Sequence, residues 1–454
     1  MIGAGPAGFY ASGQLLAAGF AVDLYDALPT PFGLVRAGVA PDHPKIKSVT
    51  RVYEKTAARE GFRFFGNAAL GEDVSREELL ERYHVVLYAF GTATDNRLGI
   101  PGEQLAGSHA ATEFVAWYNG HPAHAEREFD LSAERAVVIG NGNVAIDVAR
   151  MLMLTPGELG VTDTADHAIE ALSRAGVREV VLLGRRGPAQ AAFTNPELLE
   201  LGELDRADVV VDPAELELDA LSEQWLGSDE AGATARKNVE ILREYAAREP
   251  SGATHRIVLR FLASPVELLG DEDGRMTGVR VARNRIEAGA GGALKAVPSG
   301  EQETIACGLV LRSIGYRGVP LAGIPFDERR GLIRNEGGRV VGDDGTPLAG
   351  EYAAGWIKRG PSGVIGTNKK CAADTVVRIA EDAAAGRLNE PAQPDAEATE
   401  AWLRERVPDL VTWEGWQAID AHEQALGEPH GRPRVKLVTH DAMVDAAGGA
   451  AEAG

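Results

Sequence analysis

The sequence predicts an α/β protein built from two Rossmann-like dinucleotide-binding domains. Two glycine loops, "GAGPAG" at 3–8 and "GNGNVA" at 140–145, each run into a helical pattern. Apolar strand-like runs alternate with helical ones along the chain, the pattern of parallel sheets. Each loop is followed, at its next strand, by a residue that discriminates between dinucleotides: Asp26 after the first, Arg185 and Arg186 after the second. A length of 454 residues accommodates two or three domains of roughly 150 residues each.

The first loop opens the chain. Gly3, Gly5 and Gly8 form a G-x-G-x-x-G fingerprint, and Phe9–Ala18 reads as its helix, closed by Gly19. "FAVDLYD" is then a buried strand ending in Asp26, the position that accepts from an adenosine ribose hydroxyl. A dinucleotide with a free 2′-OH is expected there, and FAD is one; taken alone, Asp26 also suits a turn cap. A Pro/Gly-rich loop follows and leads into a basic helix, after which "YHVVLYAFGTATD" is another strand. Only Met1 and Ile2 precede the loop, where a central strand belongs. The expectation is a misplaced start or a lost upstream segment, with poor FAD binding by a chain made from Met1.

"NRLGIPGE" is a turn-rich crossing, and the pattern restarts at "RAVVIGNGNVAIDVARMLM". Gly140 permits the tight turn, Gly142 lets backbone approach a pyrophosphate, and Asn143 and Val144 lead into the helix, whose free N–H groups suit phosphates. "VVLLGRRG" places Arg185 and Arg186 where an NAD enzyme carries an acid, so a 2′-phosphate and NADP(H) are favoured. Two arginines alone could decorate an exposed turn; strand, loop, helix and arginines in order favour the cofactor. They lie 43 positions after Gly142, about twice the usual interval, and "GELGVTDTADHAIEALSRAG" is read as an inserted loop and helix.

Residues 197–230 carry twelve acidic residues against one arginine and read as a solvated surface. "EYAAGWIKRGPSGVIGTNKKCAADTVVRIAEDAAAG" reads as strand, glycine-rich turn and helix, and "DAAGGAAEAG" as a disordered tail. A formal charge of −21 argues against nucleic acid or anionic membrane as a general partner. Two distant cysteines, Cys307 and Cys371, give no CxxC relay and no metal spacing, and they suit a reducing cytoplasm. No apolar run of about 18 residues and no signal-peptide pattern predict membrane insertion or export.

Three longer stretches narrow the reading: "PTPFGLVRAGVAPDHPKIK" (29–47), "GRRGPAQAAFTNPEL" (184–198) and "GWIKRGPSGVIGTNKK" (355–370). With the ending "GEPHGRPRVKL", the sequence resembles ferredoxin–NADP⁺ reductases of the adrenodoxin-reductase type from residue 1 to about Leu437. The resemblance implies a glutathione-reductase-like arrangement: a discontinuous FAD domain (1–98 and 325–440), an inserted NADP domain (99–324) and a flexible tail (441–454). It implies FAD at Ala7, Asp26, Leu34, Leu70, Trp356, Gly363, Val364 and Ile365. For NADP it implies Arg97, Asn141–Val144, Arg185, Arg186, Glu197 and Gly363. His43 and Glu200 fall in motifs placed near flavin and nicotinamide, with tuning roles; by themselves they read as a loop histidine and a solvated helix charge. Two departures stand out: Phe90 in "YAFGT", where small residues are usual, and Gly355-Trp356, where related flavoproteins often carry Gly-Asp.

The implied reaction is hydride transfer between NADP(H) and FAD, then single-electron transfer to an acidic iron–sulfur ferredoxin, by an enzyme expected to be monomeric. Such a partner needs a local positive face. Residues 236–260 carry Arg236, Lys237, Arg243, Arg248, Arg256 and Arg260 against three glutamates, and Arg236, Lys237 and Arg243 are the expected docking residues. The alternatives are a glutamate-synthase-type electron-input flavoprotein, for which two cysteines cannot supply a cluster, and a non-catalytic FAD/NADP(H) sensor.

Overall fold

The computed structural model describes residues 1–448. They form two compact units, one of residues 1–94, 119–125 and 315 onward, the other of residues 95–118 and 126–314. The chain changes unit at 94/95 and 314/315, upstream of the expected 98/99 and 324/325.

In the first unit the strands Phe62–Phe65, Val22–Tyr25, Val86–Tyr88 and Pro347–Ala353 run parallel, followed by Arg339–Val341 and Asn335–Glu336 antiparallel. "VLY" is buried at every position, as a strand covered on both faces must be. The place between Val22–Tyr25 and Val86–Tyr88 is where the missing strand was expected to leave its neighbours open. Met1–Gly3 bridges it instead: Ile2 N–H donates to Leu87 O (2.9 Å) and Ala89 N–H to Ile2 O (2.7 Å). On the other side Tyr25 N–H donates to Met1 O and Gly3 N–H to Tyr25 O, both at 2.8 Å.

The helix Pro6–Ala17 starts with Pro6 in its first turn and stops before Gly19, whose φ of +89° ends the element. It packs on the helix Ile365–Ala384. An aromatic core joins distant parts of the chain: Phe9 stacks on Tyr53 with ring centroids 4.9 Å apart, and Phe32 meets Phe9 and Trp416, each at 5.4 Å. The loop helix, the 29–47 stretch and the helix Trp413–Gly427 are thereby held together. Residues His440–Gly448 form a helix with Met443 buried, which corrects the flexible tail expected from Asp441; its apolar face has a core to cover. The rest of that tail, 449–454, lies outside the described residues.

The second unit holds a six-stranded parallel sheet in the order Ser108–Ala110, Leu309–Arg312, Arg135–Ile139, Glu179–Leu183, His255–Arg260, Ala207–Val211. Beside it Ala263–Gly270, Met276–Ala288 and Leu294–Ala306 form an antiparallel meander. Two helices, Pro156–Leu159 and Asp166–Ser173, fill the long interval between the second loop and the arginines. The acidic stretch is not wholly solvated. Glu215 is buried, pairs with Arg260 (2.5 Å) and Arg283 (3.1 Å), and accepts from Phe261 N–H (2.6 Å). A carboxylate can be buried when its charge and lone pairs are answered this fully.

Candidate functional site: two glycine loops and a glycine-rich turn

The two loops solve the same steric problem in the same way. Gly3 (φ +102°) and Gly140 (φ +133°) sit where L side chains are strained, and each is crowded by a neighbouring strand end. A Cβ on Gly3 would lie 2.6 Å from Phe90 Cα, and one on Gly140 would lie 2.1 Å from Ser313 O. The second glycines differ. Gly5 and Gly142 have ordinary extended backbone (φ −84° and −97°), and a Cβ on either meets nothing within 4 Å. Fold sterics do not require glycine there. The open space in front of each, at a helix N-terminus, is what an approaching pyrophosphate needs. Gly8 fits closely, since a Cβ would meet Gly3 O at 2.1 Å, and Ala145 is fully buried in the corresponding place.

Asp26 stands at the end of its strand as expected. Its carboxylate accepts from Ala4 N–H (2.7 Å) in the glycine loop and from Leu28 N–H (2.9 Å). Burial outweighs these two donors and raises its pKa to about 6. The residue keeps a partly exposed edge, so ribose hydroxyl donors can reach it. Leu34 opens the short helix Leu34–Ala37 after Gly33, where a Cβ would come within 3.1 Å of Gly5 Cα. The 29–47 stretch therefore lies on the first loop, and Phe32 N–H donates to Ala4 O (2.8 Å). Leu70 is half-buried against the core. His43 is buried and heads the helical turn Pro44–Lys47.

The turn after Pro347–Ala353 meets the first loop directly. Gly355 has φ +74°, and a Cβ there would sit 2.6 Å from the Ala7 Cβ, so Ala7 is a packing partner of this turn. Gly355 N–H donates to Cys371 Sγ (3.3 Å), giving that cysteine a structural place. Trp356 packs on Tyr316, with centroids 5.3 Å apart, and its indole Nε1 is buried without a partner. Thr92 Oγ1 is likewise buried and unpartnered. Such donors are costly unless something supplies an acceptor. Gly363 and Val364 are exposed at the start of Ile365–Ala384, and Arg359 spans the turn to Ser362 and to Asn368 Oδ1 (2.9 Å). An unpartnered indole donor, an exposed apolar Val364 and a helix N-terminus fit a flat, polar-edged ring that gains negative charge on reduction.

At the second loop, Asn141 Nδ2 is buried without a partner and lies near Gly184, whose Cβ would meet it at 2.8 Å. Asn143 Oδ1 accepts from Thr194 N–H (2.8 Å), and Thr194 Oγ1 donates to Glu197. The 184–198 stretch is thereby fastened onto the loop it was expected to serve. Arg185 and Arg186 are exposed, and neither is ion-paired among the described residues. Burial and then the Arg185 charge lower the pKa of the Arg186 guanidinium, the mark of two cations held side by side without an anion. Arg97 is exposed on the "RLGIPGE" turn.

Sequence reasoning passed over the residue that shapes that turn. Buried Glu103 accepts from Leu98 N–H (2.7 Å) and Gly99 N–H (2.9 Å) and faces Arg312 at 3.4 Å. The available signal was a glutamate directly after Pro-Gly. Glu200 faces buried Arg150 at 3.4 Å, so its charge already has a protein partner. The expected docking residues lie on the helix Gly232–Ala246, where one of the three is ion-paired. Lys237 pairs with Glu240 (3.1 Å), Arg236 donates to the carbonyls of Leu226 (2.8 Å) and Ser228 (3.0 Å) and keeps its charge, and Arg243 has no carboxylate partner among the described residues. Arg256 and Arg260 are paired with Glu179 and Glu215. Charge counting along the chain could not see these pairings.

Comparison with known proteins identifies a family and relatives along nearly the whole chain. Residues 1–183 match the family model of the pyridine nucleotide-disulphide oxidoreductases. The chain is 50% identical over 452 residues to the NADPH-ferredoxin reductase FprA of Mycobacterium tuberculosis, covering 97% of this chain and 96% of that one. It is 40% identical over 461 residues to the mitochondrial NADPH:adrenodoxin oxidoreductase of Arabidopsis thaliana, covering 98% and 94%. The solved structure of Mycobacterium tuberculosis FprA in complex with NADPH superposes with a TM-score of 0.90 at 48% identity, over 98% of each chain.

Proposed function

The chain belongs to the NADPH-ferredoxin reductase family of the adrenodoxin-reductase type, and from that premise we propose how its residues divide the work. It is an FAD-dependent oxidoreductase that moves electrons between NADP(H) and a ferredoxin-type partner. The first unit is the FAD-binding domain and the second the NADP-binding domain. When bound, FAD would supply the link between the two-electron hydride chemistry of NADPH and single-electron delivery.

The protein's own residues bind and orient. Gly3, Gly5 and Gly8 shape the first loop so that its backbone meets a pyrophosphate, and Asp26 takes the adenosine ribose. Leu34, Leu70 and Trp356 bound the flavin pocket, and Trp356 Nε1 offers it a donor. Gly363, Val364 and Ile365, at the N-terminus of Ile365–Ala384, would hold the flavin ring there, where the helix dipole would favour negative charge. Gly140 and Gly142 do for NADP(H) what Gly3 and Gly5 do for FAD. Arg185 and Arg186 take the 2′-phosphate, Asn141, Asn143 and Val144 line the loop, and Arg97 and Glu197 orient the nucleotide. His43 and Glu200 are positioning residues: His43 heads the turn below the flavin loop, and Glu200 acts through Arg150.

The observation that carries this reading is the pairing of an open-fronted second loop with two exposed arginines, not ion-paired among the described residues, just after the following strand. The test is NADPH-dependent cytochrome c reduction through an added acidic ferredoxin, beside direct ferricyanide reduction. A saturable, ferredoxin-dependent rate with NADPH preferred over NADH is expected. Ferricyanide reduction with no ferredoxin-dependent rate would refute the reductase reading.

A further inference from the structure

The expected docking helix carries one ion-paired cation, Lys237, beside two that no carboxylate neutralises among the described residues, and an electron-accepting acidic partner can use further positive charge. The first unit supplies it elsewhere. Residues 44–59, "PKIKSVTRVYEKTAAR", hold Lys45, Lys47, Arg51, Lys55 and Arg59 against Glu54 alone, in a chain of net charge −21. Lys45, Arg51, Lys55 and Arg59 are exposed. Arg59 reaches the Gly13 carbonyl (2.7 Å), while Arg51 and Lys55 are left without a carboxylate partner among the described residues.

The helix Thr50–Ala57 buries Tyr53, Thr56 and Ala57. Arg51 and Lys55, four residues apart, share the face opposite Tyr53. Between and beside the cations stand two exposed aliphatic side chains, Val52 at 50% and Ile46 at 40% exposure. Exposed aliphatic side chains among cations, with Glu54 the single acid of the stretch, are the make-up of a transient protein interface. The stretch is also continuous with the cofactor loop. It follows directly on residues 29–43, which rest on Gly5 through Gly33 and Phe32. His43 lies two residues before Lys45, so about 7 Å of backbone at most separates them.

We propose that the exposed face of residues 44–59 is a docking surface for an acidic iron–sulfur ferredoxin. The proposal rests on the reductase reading above. Arg51 and Lys55 are left without a carboxylate partner among the described residues, and charge complementarity selects an acidic protein as the occupant. Long-range attraction steers the partner, and Ile46 and Val52 desolvate on contact.

The test uses the FAD-loaded enzyme with Arg51→Glu/Lys55→Glu, compared with Arg236→Glu/Arg243→Glu. Electrons are drawn from NADPH either by an acidic ferredoxin or by the neutral quinone menadione. The first variant is expected to raise the ferredoxin KM by about tenfold or more at low salt, and the gap should narrow as ionic strength rises. Menadione turnover and FAD content should stay unchanged. Arg51→Gln/Lys55→Gln should give a smaller effect of the same kind, which guards against a folding defect in the reversal. An unchanged ferredoxin KM and salt dependence, or a loss confined to Arg236→Glu/Arg243→Glu, would overturn the proposal. A wild-type enzyme that reduces menadione but no ferredoxin would instead overturn the reductase reading itself.

Discussion

Gly142→Ala and Gly140→Ala separate what the second loop does for the cofactor from what it does for the fold. At Gly142 the backbone is already in a region open to any residue, and the added methyl meets nothing within 4 Å. Apoprotein stability should therefore stay the same or rise by about 0.4–1 kcal/mol, since alanine restricts the unfolded chain. The methyl instead occupies the space into which the pyrophosphate must come. Overpacking of that kind costs about 1–3 kcal/mol, so the NADPH KM should rise by roughly five- to 150-fold. At Gly140 the same methyl would lie 2.1 Å from Ser313 O at a φ of +133°, so that variant should lose stability whether or not nucleotide is present. Thermal unfolding of the apoproteins, set beside NADPH titrations, reads both effects. Equal destabilisation by the two substitutions, or an unchanged NADPH KM in Gly142→Ala, would refute the division of labour.

Arg185→Ala/Arg186→Ala should raise the NADPH KM on the order of tenfold while leaving the NADH KM nearly unchanged, because only a 2′-phosphate answers the two charges; equal changes in both would sink the assignment. Asp26 gives a pH signature. Its folded pKa of about 6 lies above the ordinary 3.8, so its contribution to apoprotein stability is fully present below 3.8 and lost as pH rises through 6. Ribose hydroxyls need the carboxylate, so FAD affinity should run the other way and weaken by about tenfold between pH 7 and pH 5. FAD fluorescence titration of the apoprotein measures this, and Asp26→Asn should flatten the profile; a pH-independent wild type would contradict the role given to Asp26.

What was legible in the sequence was local. The spacing of Gly3, Gly5 and Gly8, the acid at Asp26 and the arginines at 185–186 each follow from a short strand–loop–helix unit whose geometry is set by nearby residues. What was not legible depends on partners far along the chain. Glu215 reads as one more acid until Arg260, Arg283 and Phe261 N–H are seen around it. Glu103 looks like an exposed turn residue until Leu98, Gly99 and Arg312 are found facing it. At 236–243 the sequence does not show that Lys237 is paired with Glu240, nor at 44–59 that Arg51 and Lys55 have no carboxylate partner among the described residues; only side-chain geometry tells them apart. The helix at 440–448 is spelled in small residues that read as a tail, and Met443 finds its core only in the folded first unit.

The first unit also has a consequence for how the protein is made. Tyr88 OH donates to Glu351 at 2.8 Å from 263 positions away, within adjacent parallel strands. At ordinary rates of synthesis that partner emerges on the order of 10–50 s after Tyr88. For that time Val86–Tyr88 is a nascent strand with one edge unmatched, while residues 126–314 supply most of the second unit in one uninterrupted run. The nucleotide unit is thus poised to mature first on the ribosome. The flavin unit must wait for the far end of the chain, and its open strand edge is the place where a co-translational chaperone has most to protect.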